Sequence, residues 1–228
     1  MLGAPQDRLV VNLHGIGEPS EDVTPFERRY WCARSTWPRL ADALSEIAEN
    51  GKVALEITFD DGYLSDYELG LPALQERNLT ATFFVSAGNV GRHGFMRAEH
   101  LQELRDARMG IGSHGWSHID LRRLPPTDLT RETVDSGRRI SELAETPVTA
   151  FAIPFGSYDR VVLRSLRGYE AVYTSDWVRA RRTDWLIPRV SYANDVWQPA
   201  DLPRYAYEQY SLRSTLRRRL VAVYKSLR

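Results

Sequence analysis

Val53-Ala54-Leu55-Glu56-Ile57-Thr58-Phe59-Asp60-Asp61-Gly62 is the stretch on which the architecture turns. Its mostly apolar run reads as a strand over 53–59, and it stops at two carboxylates and a glycine, the residues of a polar turn. Six further runs end the same way, at 9–13, 81–85, 109–111, 148–153, 171–174 and 186–190. Several are apolar throughout, as suits strands covered on both faces of a parallel sheet. Helical patterns lie between them: 37–48, with Leu40, Leu44 and Ile47 apolar, then 69–75, 98–107, 129–144 and 160–167. Alternating strands and helices joined by right-handed crossovers predict a parallel α/β fold. The scarcity of long linkers favours one closed or nearly closed barrel over two domains.

That barrel makes its own prediction, because the active sites of such barrels sit at the C-terminal ends of the strands. His14 follows the first run, Asp60 and Asp61 the second, and His114 and His118 the fourth. Pro154-Phe155-Gly156 follows the fifth and Asp176-Trp177 the sixth, while Arg189 and Tyr192 lie near the end of the seventh.

Composition narrows the setting. The 228 residues, 43% hydrophobic, can build one sizeable core. Thirty basic residues balance thirty acidic ones, so no overall field draws a polyanion and no nucleic-acid partner is expected. A single cysteine, Cys32, excludes an internal disulfide. Residues 1–8 lack a basic start followed by an apolar stretch, and no run is long enough to cross a bilayer, so a cytoplasmic location is expected. The barrel is expected over 1–211. A separate basic amphipathic helix is expected over 212–228, with Arg213, Arg217, Arg218, Arg219 and Lys225 among Leu216, Leu220, Val221 and Val223. Such a helix either lies on an anionic membrane surface or partner or caps the barrel with its charges solvated, and the second is favoured.

The candidate chemistry begins at Asp60 and Asp61. Adjacent carboxylates are costly to ionise together unless a cation is present, in which case one can ligate and the other act as a base. The competing reading is a plain polar turn. His114 and His118, in His114-Gly115-Trp116-Ser117-His118, can face one metal if that segment makes one helical turn, or else are two satisfied loop histidines. An aspartate and two histidines match an open catalytic metal site better than a closed structural one. His93 and His100 read as surface or packing residues, and of the tryptophans only Trp177 is a candidate for stacking on substrate.

Thr58-Phe59-Asp60-Asp61-Gly62, Ser113-His114-Gly115-Trp116-Ser117-His118 and Ala152-Ile153-Pro154-Phe155-Gly156, in that order, resemble the NodB-type polysaccharide deacetylases, carbohydrate esterase family 4. The resemblance runs from about Leu9 to Tyr192. It implies a single-domain, distorted (β/α)7 barrel and a hydrolase removing acetyl groups from N-acetylated sugars, with a carbohydrate substrate and a divalent metal, commonly zinc. It also implies Asp60 as base, Asp61, His114 and His118 as metal ligands, and the Phe155 backbone N–H as an oxyanion contact.

Two departures stand out. The arginine that usually precedes the third motif's proline is replaced by Ala152-Ile153, leaving Arg189 as a candidate substitute and, with Trp177, a candidate substrate contact. The usual late acid histidine is missing from Leu186-Ile187-Pro188-Arg189-Val190-Ser191-Tyr192. His14 is the candidate acid, since the first strand of a closed barrel lies beside the last. That resembles the permuted arrangement of poly-N-acetylglucosamine deacetylases; the alternative is a histidine opening a glycine turn. Competing functions are an O-acetyl esterase with the same site and a carbohydrate-binding protein that has lost turnover.

Overall fold

The computed structural model describes residues 7–21, 23–181, 183–207, 221, 224 and 225. Among these, nine strands form one sheet: β1 (Asp7–Leu13), β2 (Ala54–Phe59), β3 (Thr82–Val85), β4 (Gly110–Ser113), β5 (Ala150–Ala152), β6 (Ala171–Thr174), β7 (Ala180–Arg181), β8 (Leu186–Pro188) and β9 (Val190–Ser191). From β1 to β6 each strand pairs in parallel with the next, and β6 then pairs with β8. β9 returns to β1 through Val11 with Val190 and Asn12 with Ser191, which closes a single α/β barrel.

The closing strand departs from the expected unbroken run over 186–190. Pro188 has no N–H to donate and the ladder lapses at Arg189. There the Arg189 N–H reaches Thr174 O at 3.0 Å and the Arg189 carbonyl accepts from Trp177 N–H at 2.9 Å. One half of the strand therefore serves β6 and the other β1. β7, which no pattern predicted, adds a short antiparallel pairing between residues 180–181 and the start of β1.

Side chains alternate along the strands between two apolar environments. Leu9, Val11, Ile57, Phe59, Phe83 and Val85 face outward to meet Leu40, Leu44 and Ile47 of the helix Trp37–Asn50 and Leu101 and Leu104 of another, Ala98–Asp106. Val10, Phe84, Ala152, Tyr173, Ala180 and Ile187 fill the barrel interior. This is why the strands read as apolar throughout: each fully buried Leu, Ile or Phe contributes about 1.5–3 kcal/mol on either face. Gly51 ends the helix Trp37–Asn50 at φ 66°, a left-handed position natural to glycine.

Two expected helices are more irregular than their patterns. The pattern over 69–75 becomes a π-helical turn, Asp66–Gly70, running into Leu71–Glu76. The pattern over 129–144 becomes Pro126–Thr130, a π-helical turn at Arg131–Asp135, and Ser136–Ala144. Arg160–Ser165 forms as predicted, capped by Asp159, whose carboxylate accepts from the Val161 and Val162 N–H groups. Short helices at Pro25–Arg28 and Asp201–Tyr207 were not predicted. No helix among the described residues is long and apolar enough to cross a membrane. The expected boundary at 211/212 and most of the basic helix over 212–228 lie outside the described residues.

Candidate active site

At the C-terminal end of the strands the barrel interior turns polar. Asn12 and Thr58 are cross-strand partners, both fully buried, and the Thr58 hydroxyl donates to Asn12 Oδ1 at 3.0 Å. Asp60 lies two residues beyond Thr58 and so stands above it on the same face. Its neighbour would continue outward, but Asp61 adopts φ 74°, and both carboxylates line one cavity.

The ends of that cavity's strands carry the predicted residues. About 180 Å³ in volume, it is lined by His14, Asp60, Asp61, His114, His118, Phe155 and Trp177, with Phe26, Glu27 and Tyr30 contributed by the excursion after β1. Asp61, His118, Phe155 and Trp177 all have positive φ between 52° and 74°. Left-handed non-glycine residues are uncommon, and their concentration here is the pattern of a site whose geometry is imposed by its surroundings.

Asp60 is 2% exposed. Arg189 grips it with a two-pronged fork, Nη1 to Oδ1 and Nη2 to Oδ2, both at 2.7 Å, and Asn12 Nδ2 donates to Oδ2 at 2.9 Å. Burial alone would push this carboxyl up. The Arg189 guanidinium overrides that and holds it well below the usual carboxylate range. Arg189 is itself completely buried, donating also to Asn12 Oδ1, Thr58 Oγ1 and Thr174 O. It is not among the residues that line the cavity. Its two contacts with Asp60 are those of a residue that orients this carboxylate, the part for which it is the candidate substitute.

Asp61, His114 and His118 each offer one ligand atom within 4.8 Å of the other two. Asp61 Oδ1 is 3.5 Å from His114 Nε2 and 3.2 Å from His118 Nε2. It is buried, yet meets no partner with hydrogen-bond geometry among the described residues. The His114 Nδ1–H donates to Ala152 O at 2.8 Å, which leaves the Nε2 lone pair facing Asp61. Burial pushes the His114 pKa down, favouring the neutral, ligating form. An orphaned carboxylate oxygen and two converging imidazole nitrogens fit a divalent cation. The two histidines converge without the helical turn that their spacing would allow: residues 114–118 make a loop, with His118 at φ 52°.

His14 reaches the cavity from the end of β1, as the closed barrel requires. Its ring centre is 5.2 Å from that of Tyr30. Its buried Nδ1 has no hydrogen-bond partner among the described residues, and burial lowers its pKa. Phe155 stands at the tip of a tight turn closed by Gly156 N–H to Ile153 O at 3.0 Å, its exposed ring 4.5 Å from that of His118. Trp177 lines the cavity beside Ser175.

Sequence reasoning passed over Asn12, Phe26, Tyr30 and Glu132. A signal existed for Asn12, a lone amide within the buried run Leu9-Val10-Val11-Asn12-Leu13. None existed for Glu132, a glutamate among the charged residues of a helix, yet it is 3% exposed and accepts hydrogen bonds from the 114–118 loop.

Residues 48–173, more than half of the chain, match the family model for polysaccharide deacetylase. YxkH of Bacillus subtilis (strain 168) is 28% identical over 122 residues, 53% of this chain and 44% of that protein, so the chain spans less than half of this relative's length. The Streptococcus pyogenes deacetylase PplD, solved in complex with acetate, superposes with a TM-score of 0.76 at 18% identity, over 90% of this chain and 100% of that one. IcaB from Ammonifex degensii superposes with a TM-score of 0.68 at 22% identity, over 88% of this chain and 96% of that one. These structural likenesses are of fold.

Proposed function

The chain belongs to the polysaccharide deacetylase family, and from that premise we propose that it hydrolyses the acetamide of N-acetylated sugars in a polysaccharide or saccharide precursor, releasing acetate and a free amine. One observation carries the reading: the convergence of Asp61, His114 and His118 on one point, beside a carboxylate that Arg189 keeps ionised.

Asp61, His114 and His118 would hold a divalent cation, zinc by the donor set, whose chemistry there is polarisation of the acetyl carbonyl and acidification of water. Asp60 stays outside that set, with Oδ2 3.7 Å from His114 Nε2, and takes the proton of the attacking water. Arg189 and Asn12 occupy its inner sides and fix the direction in which it can accept. The Phe155 N–H, presented by the turn after β5, donates to the oxygen on which negative charge develops. His14, which lines the cavity at the end of β1, delivers a proton to the departing amine. Phe26, Tyr30, Phe155 and Trp177 offer aromatic faces for a sugar ring.

Acetate release tests the proposal on N-acetylglucosamine oligomers, cell-wall glycan and O-acetylated xylan, after chelation and after zinc is restored. Release from an N-acetylated substrate, lost on chelation and regained with zinc, is expected. Release from xylan alone would make the chain an esterase, and no release from any of them by zinc-loaded protein would sink the hydrolase reading. His14→Ala should lower kcat by roughly 10²-fold or more with zinc stoichiometry unchanged. Near-normal turnover would remove His14 from the mechanism.

A further inference from the structure

His114 and His118 are four residues apart but share no helix, so their convergence depends on whatever holds the loop between them. Two neighbours grip its main chain. The carbonyls of Gly115 and Trp116 accept from the Ala87 and Gly88 N–H groups at 3.0 and 2.8 Å. The amides are taken up by a carboxylate: Glu132 Oε2 accepts from Trp116 N–H at 2.7 Å and Ser117 N–H at 3.0 Å, and Oε1 accepts from Ser117 N–H at 3.2 Å. Beside it the Arg131 guanidinium lies 4.8 Å from the centre of the Trp116 ring.

Several features converge on this contact. A buried carboxylate is costly unless its oxygens are satisfied, and Glu132 receives these loop amides in return for its burial. The helix that carries it widens into a π-helical turn at Arg131–Asp135, the kind of irregularity that recurs at functional sites. Gly115 leaves room for the carboxylate, since a Cβ at that position would lie 2.9 Å from Glu132 Oε2.

We infer that Glu132 is a positioning residue for the cation: by folding the 114–118 loop it places His118 Nε2 against Asp61 Oδ1, and so sets the cation affinity of a site it does not touch. The inference rests on reading Asp61, His114 and His118 as cation ligands. Without the carboxylate, two amides facing a buried position lose their acceptor, and His118 samples positions from which it cannot ligate.

Zinc affinity of the metal-free full chain, measured by competition with a chromophoric chelator, is the test. Glu132→Ala should weaken zinc binding by roughly 10–100-fold, the range found when groups supporting metal ligands are removed. Glu132→Gln, which keeps one oxygen acceptor in the same shape, should weaken it less. Thr133→Val, altering a buried residue of the same turn whose hydroxyl donates to Leu129 O, should lower Tm and leave zinc affinity unchanged. Circular dichroism and the Tm of the metal-free protein establish which variants fold, and Glu132→Gln decides the matter if Glu132→Ala does not. Wild-type zinc affinity in the folded Glu132 variants overturns the inference, as does an equal loss in Thr133→Val. A wild-type chain that binds no zinc overturns the inference together with the ligand assignment beneath it.

Discussion

Asp60 is held in its ionised state by a side chain 129 positions away in sequence. The two 2.7 Å contacts need a planar fork, which lysine cannot supply. Arg189→Lys would keep the charge but lose one prong and the bonds to Asn12, Thr58 and Thr174. It should destabilise by about 1–3 kcal/mol in urea titrations and cut turnover more than tenfold, with zinc still bound. Unchanged turnover would show that Asp60 needs no orientation. Asp66 is the opposite case, a fully buried carboxyl whose two oxygens find no hydrogen-bond partner among the described residues. Burial, and then the charges of Asp61 and Asp60, push its pKa well above the ordinary value. The folded chain therefore keeps a proton that the unfolded chain releases from about pH 4 upward, so this residue lowers stability as pH rises. Asp66→Asn should match the wild type near pH 3 and exceed it by about 1–2 kcal/mol near pH 8. Urea midpoints with no pH-dependent gap would contradict it.

At the scale of elements, the regular pieces position the irregular ones. β2 and β4 end where their alternation delivers Asp60 and His114 to the cavity, and left-handed residues beyond them re-aim Asp61 and His118. Gly115 illustrates the dependence of one element on another. It sits at φ 81°, and any side chain there also runs into Glu132 Oε2. Gly115→Ala should therefore cost about 2–3 kcal/mol and weaken zinc binding together, because backbone strain and displacement of the carboxylate act on one loop. Loss of stability with normal zinc affinity would separate the two effects and argue that the loop has slack. The i, i+4 spacing of its histidines states only which residues could meet on a helix, and here the main chain is a loop whose Trp116 and Ser117 N–H groups donate to Glu132.

At the scale of the whole molecule, the barrel joins residues from both ends of the chain. The Lys225 ammonium reaches Asp176 Oδ1 at 2.8 Å and Gly156 O at 3.2 Å, bracing the turns that present Trp177 and Phe155. Asp176 is nearly buried, also accepting from Tyr158 and Thr174, whereas Lys225 is about one-third exposed, which moderates the pair's worth. Lys225→Met should lower Tm by about 2–4 °C, corresponding to roughly 1 kcal/mol in a chain of this length. An unchanged Tm would mean the contact adds nothing to stability.

Strand and helix alternation, the barrel and the positions of Asp60, Asp61, His114 and His118 at strand ends were all legible in the sequence, because each is written in local terms. Apolar runs stopped by turn residues and short motifs require only neighbours along the chain. Closure let His14 be placed as well, since a strand count implies which ends meet. What only the tertiary structure decided was who holds those residues. Arg189 lies beneath Asp60 because the last strand breaks at Pro188 and divides its pairing between β6 and β1. Asn12 shares that grip through strand register, and Glu132 meets the histidine loop through a π-helical turn in a helix packed beside β4. Such pairings are set by packing across the closed sheet, where residues far apart in sequence come within hydrogen-bond reach; a lone amide or arginine can be noticed along the chain, but nothing local says which residue it will hold.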